Sequence, residues 1–166
     1  MLKSFIKRTF RFLGTSFQDH SDMLTVFFLE KAARQGDGWS QNNLAAYYLR
    51  GRYVPLDIEK AIDLYLMAAE NLVCEAYLNL GQLYYDGLHI KRDDNESARW
   101  FSYAAECGDP RGEYRLGLMY LDGSGVKKNF KTALLLLAEA QKKGIPIDTS
   151  LLEAVQAKLN TDSNQK

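Results

Sequence analysis

The chain repeats itself every 36 residues without a gap, and this feature constrains the fold most strongly. The repeated set contains a leucine, a small residue and a tyrosine at fixed spacing. Its members are Leu44, Ala45 and Tyr48, then Leu80, Gly81 and Tyr84, then Leu116, Gly117 and Tyr120. A fixed period of this length is typical of stacked repeats, in which a single unit cannot bury its apolar face alone. We therefore expect a solenoid.

Each period contains signals for two helices. Four residues in one register are good helix N-caps, because their side-chain oxygens can accept hydrogen bonds from first-turn N–H groups: Ser21, Asp57, Asp93 and Asn129. Apolar residues at helical spacing follow each cap. The spacing predicts second helices over 57–70, 94–107 and 130–143, and first helices over 40–50, 75–86 and 111–122.

Glycines mark where the second helices end. Gly36, Gly108 and Gly144 stand at the position of a left-handed C-terminal cap. Leu72 occupies that position in copy one, so we expect Asn71 to take the left-handed conformation there instead.

Small residues on both helices of a unit predict close packing between them. Ala45, Gly81 and Gly117 on the first helices match Ala61, Ser97 and Ala133 on the second helices. In the loop Asp122–Val126, glycines allow positive φ, and Val126 is predicted to return to the core.

The ends of the chain differ from the repeats. We expect a basic amphipathic segment at 1–20, the repeat array at 21–144, a capping helix at 145–160 and a disordered tail at 161–166. Asp148 or Thr149 can N-cap the terminal helix, predicted over 150–160, whose apolar residues share one face.

The repeated residues resemble the Sel-1-like repeat. The shared pattern is Leu-Gly-x-x-Tyr, then Gly-x-Gly-Val, an N-cap Asp, Trp100-Phe101 and Ala-Ala-Glu-x-Gly. Copies at 76–108 and 112–144 match well, the copy at 40–72 lacks two glycines, and 21–36 resembles half of a zeroth repeat. The tetratricopeptide repeat shares some positions but has a shorter loop. The resemblance implies an all-α, right-handed α/α superhelix of about three full repeats, a half repeat and terminal capping helices.

Two cysteines allow opposite interpretations. Cys74 begins a first helix and Cys107 ends the second helix of the same unit, so the two ends can lie close together. Some cysteine-rich relatives of the resembled family carry a disulfide in each repeat, and some bind or hydrolyse β-lactams. The other copies here have Gly38, Pro110 and Pro146 at the position of Cys74. We therefore expect free thiols in a reducing compartment, and a cytoplasmic location.

The N-terminal residues form an amphipathic pattern with three interpretations. Apolar residues and one threonine lie at helical spacing: Leu2, Phe5, Ile6, Thr9, Phe10, Leu13 and Phe17. Residues 1–18 carry four basic side chains and no acidic one. They can form a degenerate first helix that caps the array, a basic helix that meets a membrane surface or a partner, or a targeting presequence.

The sequence contains no recognisable catalytic pattern. His20 and His89 have no Cys, Asp or Glu at ligand spacing, and capping explains Asp57 and Asp93. We predict no catalytic residue, metal or cofactor, and hence no enzyme. Equal numbers of basic and acidic residues, 21 each, give no reason to expect nucleic acid as a partner. No apolar run reaches the roughly 18 residues of a membrane-spanning helix.

These observations predict a non-enzymatic, monomeric module that binds a protein on the concave surface of its first helices. Residues offset from the core face of those helices are the predicted contacts: Trp39, Asn43, Arg50, Glu75, Asn79, Gln82, Arg111, Tyr114, Arg115 and Leu118. The resemblance implies an adaptor, an assembly factor, a scaffold or a bacterial immunity protein. The alternatives are an enzyme of the cysteine-rich kind acting on β-lactams and a structural oligomerisation module.

Overall fold

A computed structural model describes residues 23–163 of the chain, and side chains as far as residue 161. This part is helical and contains no strand. The helices are α1 (described from 23 to 34), α2 (Gly38–Arg50), α3 (Ile58–Glu70), α4 (Cys74–Asp86), α5 (Asp94–Glu106), α6 (Pro110–Asp122), α7 (Phe130–Lys142) and α8 (Thr149–Ser163). The predictions for Ser21, for the segment 1–20 and for residues 164–166 lie outside the described residues.

The predicted N-caps are confirmed in the described repeats. The Asp57 carboxylate accepts a hydrogen bond from the Lys60 N–H at 3.0 Å, and the Asn129 side chain accepts from the Thr132 N–H at 3.1 Å. Asp93 caps α5 in the same way. Asp148, rather than Thr149, accepts from the first turn of α8. The helices begin and end within three residues of the predicted bounds. Helix α8 continues to Ser163, three residues into the segment predicted to be a disordered tail.

The prediction for the end of α3 is wrong. Asn71 has a φ of −81°, and Leu72 takes the left-handed conformation with a φ of 59°. The Asn71 side chain instead donates hydrogen bonds to the Gln41 side chain and to the Met67 carbonyl, both at 3.0 Å. Position 72 is in register with Gly108 and Gly144, so the turn imposes its backbone conformation whatever residue stands there.

Close packing between the two helices of a unit is confirmed, with an additional cause. The Ser97 hydroxyl donates to the Gly81 carbonyl at 2.9 Å, as the small-residue pairing suggests. A Cβ added at Gly81 would lie 2.6 Å from the ring of Phe101, and one at Gly117 would lie 2.9 Å from Leu137. At these two contacts, a large side chain of the second helix occupies the space that a Cβ on the first helix would need.

The described chain divides into two compact units, residues 23–71 and 72–163. In the first unit α2 packs on α3, and in the second each helix from α4 to α8 packs on the next. A buried cluster around Phe101 and Met119 joins α5 to α6, and Val126 packs against it as predicted. A second cluster, around Leu137 and Ile147, joins α7 to the approach of α8.

The two cysteines form a disulfide, so the expectation of free thiols is wrong. The Cα atoms of Cys74 and Cys107 lie 5.8 Å apart, within the range that a disulfide bridges. The antiparallel packing of α4 on α5 brings the start of one helix to the end of the other, and this geometry does not depend on cysteines in other repeats. Because disulfides persist mainly in oxidising compartments, the argument that indicated a reducing compartment no longer holds.

Candidate protein-binding face

In the first unit, the predicted contacts lie on α2. The Trp39 side chain is 62% exposed, and the Asn43 amide donates to the Trp39 carbonyl at 2.8 Å. Arg50 is exposed in the last turn. Trp39 and Asn43 share one open groove with residues of α1, whereas Arg50 does not line it.

In the second unit, the structure brings predicted residues of α4 and α6 together. The Arg111 guanidinium lies 3.7 Å from the Glu75 carboxylate on the neighbouring helix. It also makes two hydrogen bonds to the Asp109 carboxylate, at 3.1 and 2.8 Å. Arg111 is therefore held between two acidic side chains at an exposed place.

The charges at this place are mutually stabilised. The hydrogen bond to Asp109 raises the pKa of Arg111, and the nearby Glu75 adds to the effect. Burial acts to raise the pKa of Asp109, but hydrogen bonds from the Arg111 side chain and backbone outweigh it and hold that pKa below its ordinary value. Both groups are therefore charged over the usual pH range.

Arg115 lies one turn further along α6 and faces an aromatic ring. Its guanidinium lies 5.9 Å from the centre of the Tyr85 ring, and Arg92 lies 5.1 Å from the same ring. On α4, the Gln82 amide donates to the Asp86 carboxylate at 2.6 Å. We call Glu75, Asn79, Gln82, Arg111 and Arg115 the arginine face.

Two predicted residues of α6 are turned towards the core. Tyr114 and Leu118 are half-buried and pack against the cluster around Leu137 and Ile147. Asn79 is also half-buried. The structure therefore brings Glu75 and Arg111 together at the surface, whereas Tyr114 and Leu118 contribute to the packing between helices.

Sequence reasoning missed two residues that shape this face. Asp109 N-caps α6 and orients Arg111, and Pro110 in the first helical position was the signal that could have revealed this cap. Tyr85 provides the ring beneath Arg115. No local signal distinguished it from the repeated tyrosine at the preceding position, Tyr84.

We also searched the described residues for metal ligands and for membrane-spanning helices. Between residues 23 and 161, no group of three His, Cys, Asp or Glu residues could hold a metal ion. His89 is exposed in its loop. Among the described helices, none is long and apolar enough to cross a membrane.

Comparisons with known proteins agree on one family. The Sel1 repeat model matches residues 14–37, 40–71, 74–109 and 110–145, which is more than half of the chain. The first match begins seven residues before the zeroth repeat that the sequence indicated. No curated protein sequence matches the chain.

Solved structures with the same fold come from several bacteria. A protective antigen of uropathogenic Escherichia coli with an SLR fold is 28% identical, with a TM-score of 0.70 over 72% of this chain and 26% of that one. A Sel1 repeat protein from Oxalobacter formigenes is 32% identical, with a TM-score of 0.67 over 72% of this chain and 49% of that one. The chain thus spans about a quarter and about half of these relatives.

A third structure supports the fold alone. Cysteine rich protein B of Helicobacter pylori is 22% identical, with a TM-score of 0.59 over 75% of this chain and 90% of that one. Together these similarities confirm the predicted all-α repeat superhelix.

Proposed function

Because the chain belongs to the Sel1 repeat family, whose members are generally protein-interaction modules, we propose that it binds a protein partner through the arginine face. Trp39, Asn43 and Arg50 are the remaining members of the predicted face, on α2. Through such binding the chain would act as an adaptor, an assembly factor, a scaffold or a bacterial immunity protein.

One observation carries this proposal: Arg111 is exposed and yet already oriented. Its side chain is 51% exposed, whereas that of Asp109, which holds it, is 10% exposed. An arginine fixed in one geometry loses less side-chain entropy on binding than a free one, so more of the contact energy appears as affinity. Arginine is also among the residues that dominate interface energies.

The chemistry of the face indicates the kind of partner. The Arg115 guanidinium faces the neutral ring of Tyr85, and this contact does not balance its charge with a carboxylate. A guanidinium binds carboxylates in a bidentate geometry. The favoured partner is therefore a protein segment that carries Asp or Glu side chains.

Capture from native lysate, followed by affinity measurement with the purified partner, tests the proposal. Arg115→Glu reverses the charge on the face, and Lys131→Glu makes the same change on α7, where the side chain is exposed. With both variants folded by circular dichroism, we expect Arg115→Glu alone to weaken binding. The loss should reach roughly tenfold or more, the size of a hot-spot effect. Equal affinities for the two variants would exclude the arginine face.

The disulfide does not favour a β-lactam-acting enzyme. It makes one repeat similar to those of cysteine-rich relatives, but a disulfide is a cross-link and supplies no general base or nucleophile. An assay of β-lactam hydrolysis by the purified chain tests that alternative directly, and we expect no turnover.

A further inference from the structure

An apolar groove lies open between α1 and α2 in the first unit. It has a volume of about 410 Å³ and is lined by Thr25, Phe28, Leu29, Ala32, Trp39, Ser40, Asn43 and Tyr47. Phe28 and Trp39 are each 62% exposed. Exposed aromatic side chains grouped in this way are typical of a surface that is covered by another segment.

The repeat shows what covers the same positions in the second unit. A shift of 72 residues moves Thr25, Phe28, Leu29 and Ala32 onto Ser97, Trp100, Phe101 and Ala104 of α5. Three of these, Ser97, Phe101 and Ala104, are fully buried. The same shift moves Trp39 onto Arg111 of α6.

Helix α4 supplies the cover there. Ser97 donates to the Gly81 carbonyl, and the ring of Trp100 stacks on Tyr77 at 6.2 Å between centroids. Arg111 meets Glu75. One helix, Cys74–Asp86, therefore fills the groove between the two that follow it.

We propose that residues 2–14 of this chain occupy the groove between α1 and α2 as a helix. These are the residues 72 positions before α4, and their apolar side chains lie at helical spacing. Phe5, Thr9 and Phe12 stand in register with Tyr77, Gly81 and Tyr84. Phe5 would thus meet Phe28 as Tyr77 meets Trp100.

The connection and the charges fit the same occupant. Residues 15–21 equal residues 87–93 in number, so the segment reaches the groove with the connection that the repeat already uses. Arg8 and Arg11 stand in register with Leu80 and Leu83. A helix over 2–14 would therefore carry charge where α4 is apolar, and a polar outer face is typical of a capping helix in a solenoid.

This assignment has a consequence for partner binding. Trp39 becomes partly covered by the segment, as Arg111 is by Glu75 of α4, and is then less available as an anchor for a partner. The inference does not depend on the arginine face, so either can fail without the other.

Tryptophan fluorescence of the full chain tests the proposal, because the sequence holds two tryptophans, Trp39 and Trp100. In a Trp100→Phe background, Trp39 alone reports on the groove. Phe5→Asp introduces a charge on the apolar side, and Lys7→Asp introduces the same side chain on the basic side. Phe5→Ser is a milder version for use if the aspartate variant does not fold.

We expect Phe5→Asp or Phe5→Ser to increase acrylamide quenching of Trp39 and to shift its emission to longer wavelength, while Lys7→Asp leaves both unchanged. The thermal midpoint should fall by about 3 °C in the Phe5 variants only. Equal quenching in all variants would overturn the proposal. Two further outcomes would also overturn the proposal, because each identifies another occupant of the groove. If Trp39 loses its protection from acrylamide when a dimer is diluted, the occupant is a second copy of the chain. If Trp39 is protected only in the presence of anionic phospholipid vesicles, the groove binds a membrane surface.

Discussion

The contact between Gly81 and Phe101 is the sharpest test of how the repeats pack. A Cβ at position 81 would lie 2.6 and 2.7 Å from two carbons of the Phe101 ring, closer than real side chains approach. Phe101 is fully buried, so its ring has little room to move. Gly81→Ala therefore forces a shift of α4 against α5.

Two opposing effects determine the magnitude. Alanine in place of glycine stabilises a helix interior by about 1 kcal/mol. Overpacking a core costs about 1–3 kcal/mol. We expect a net loss of about 1 kcal/mol for Gly81→Ala, and of roughly 2 kcal/mol or more for Gly81→Leu, which adds three further carbons.

Urea denaturation of the oxidised chain measures these changes, and two further variants isolate the cause. Gly117→Ala should cost less, since its clash is with Leu137, a flexible side chain, at 2.9 Å. In a double-mutant cycle, Phe101→Leu should relieve the clash of Gly81→Ala by about 0.5 kcal/mol or more. If Gly81→Ala matched or exceeded the parent in stability, or the two changes were additive, the close-contact explanation would be refuted.

Three other changes have expected outcomes. Reduction, or paired substitution of Cys74 and Cys107 by serine, should lower the free energy of unfolding by about 3 kcal/mol, because the bond closes a loop with a separation of 33 residues; urea denaturation with and without reductant measures this. Leu72→Gly should stabilise the chain by about 0.5 kcal/mol, since it removes left-handed strain from a side chain that is 75% exposed; an unchanged urea midpoint would contradict this. The lowered pKa of Asp109 stabilises the fold above the unfolded-state value of about 4, and this stabilisation is lost as the pH falls through the folded-state value. Asp109→Asn should therefore weaken the acid dependence of the thermal midpoint below about pH 4, whereas a curve parallel to that of the parent would contradict the assignment.

Local capping and the repeat period made the helices predictable from the sequence. The polar N-cap residues act through backbone groups of their own first turns, as Asp57 does with Lys60, so no distant information is needed for them. The preference of asparagine over leucine for the left-handed conformation predicted Asn71 in that conformation at the end of α3. The 36-residue register with Gly108 and Gly144 indicates Leu72 instead, and the register is correct. The turn fixes the backbone, and an exposed leucine accepts the strain.

The site was less predictable because it depends on contacts between helices. Helical spacing gave the exposed positions of α6, but it did not show that Asp109 would hold Arg111 or that Tyr85 would lie beneath Arg115. The disulfide was missed for a related reason. Its two cysteines are 33 residues apart, and their proximity follows from the packing of α4 on α5 rather than from a repeated pattern.

Hydrogen exchange of the complex with the captured partner tests the proposed binding face most directly. If a protein binds the arginine face, the backbone amides of α4 (Cys74–Asp86) and α6 (Pro110–Asp122) should exchange more slowly in the complex than in the free chain. Those of α5 (Asp94–Glu106) and α7 (Phe130–Lys142) should exchange at the same rate in both. Protection of the second helices without the first would contradict the proposed function.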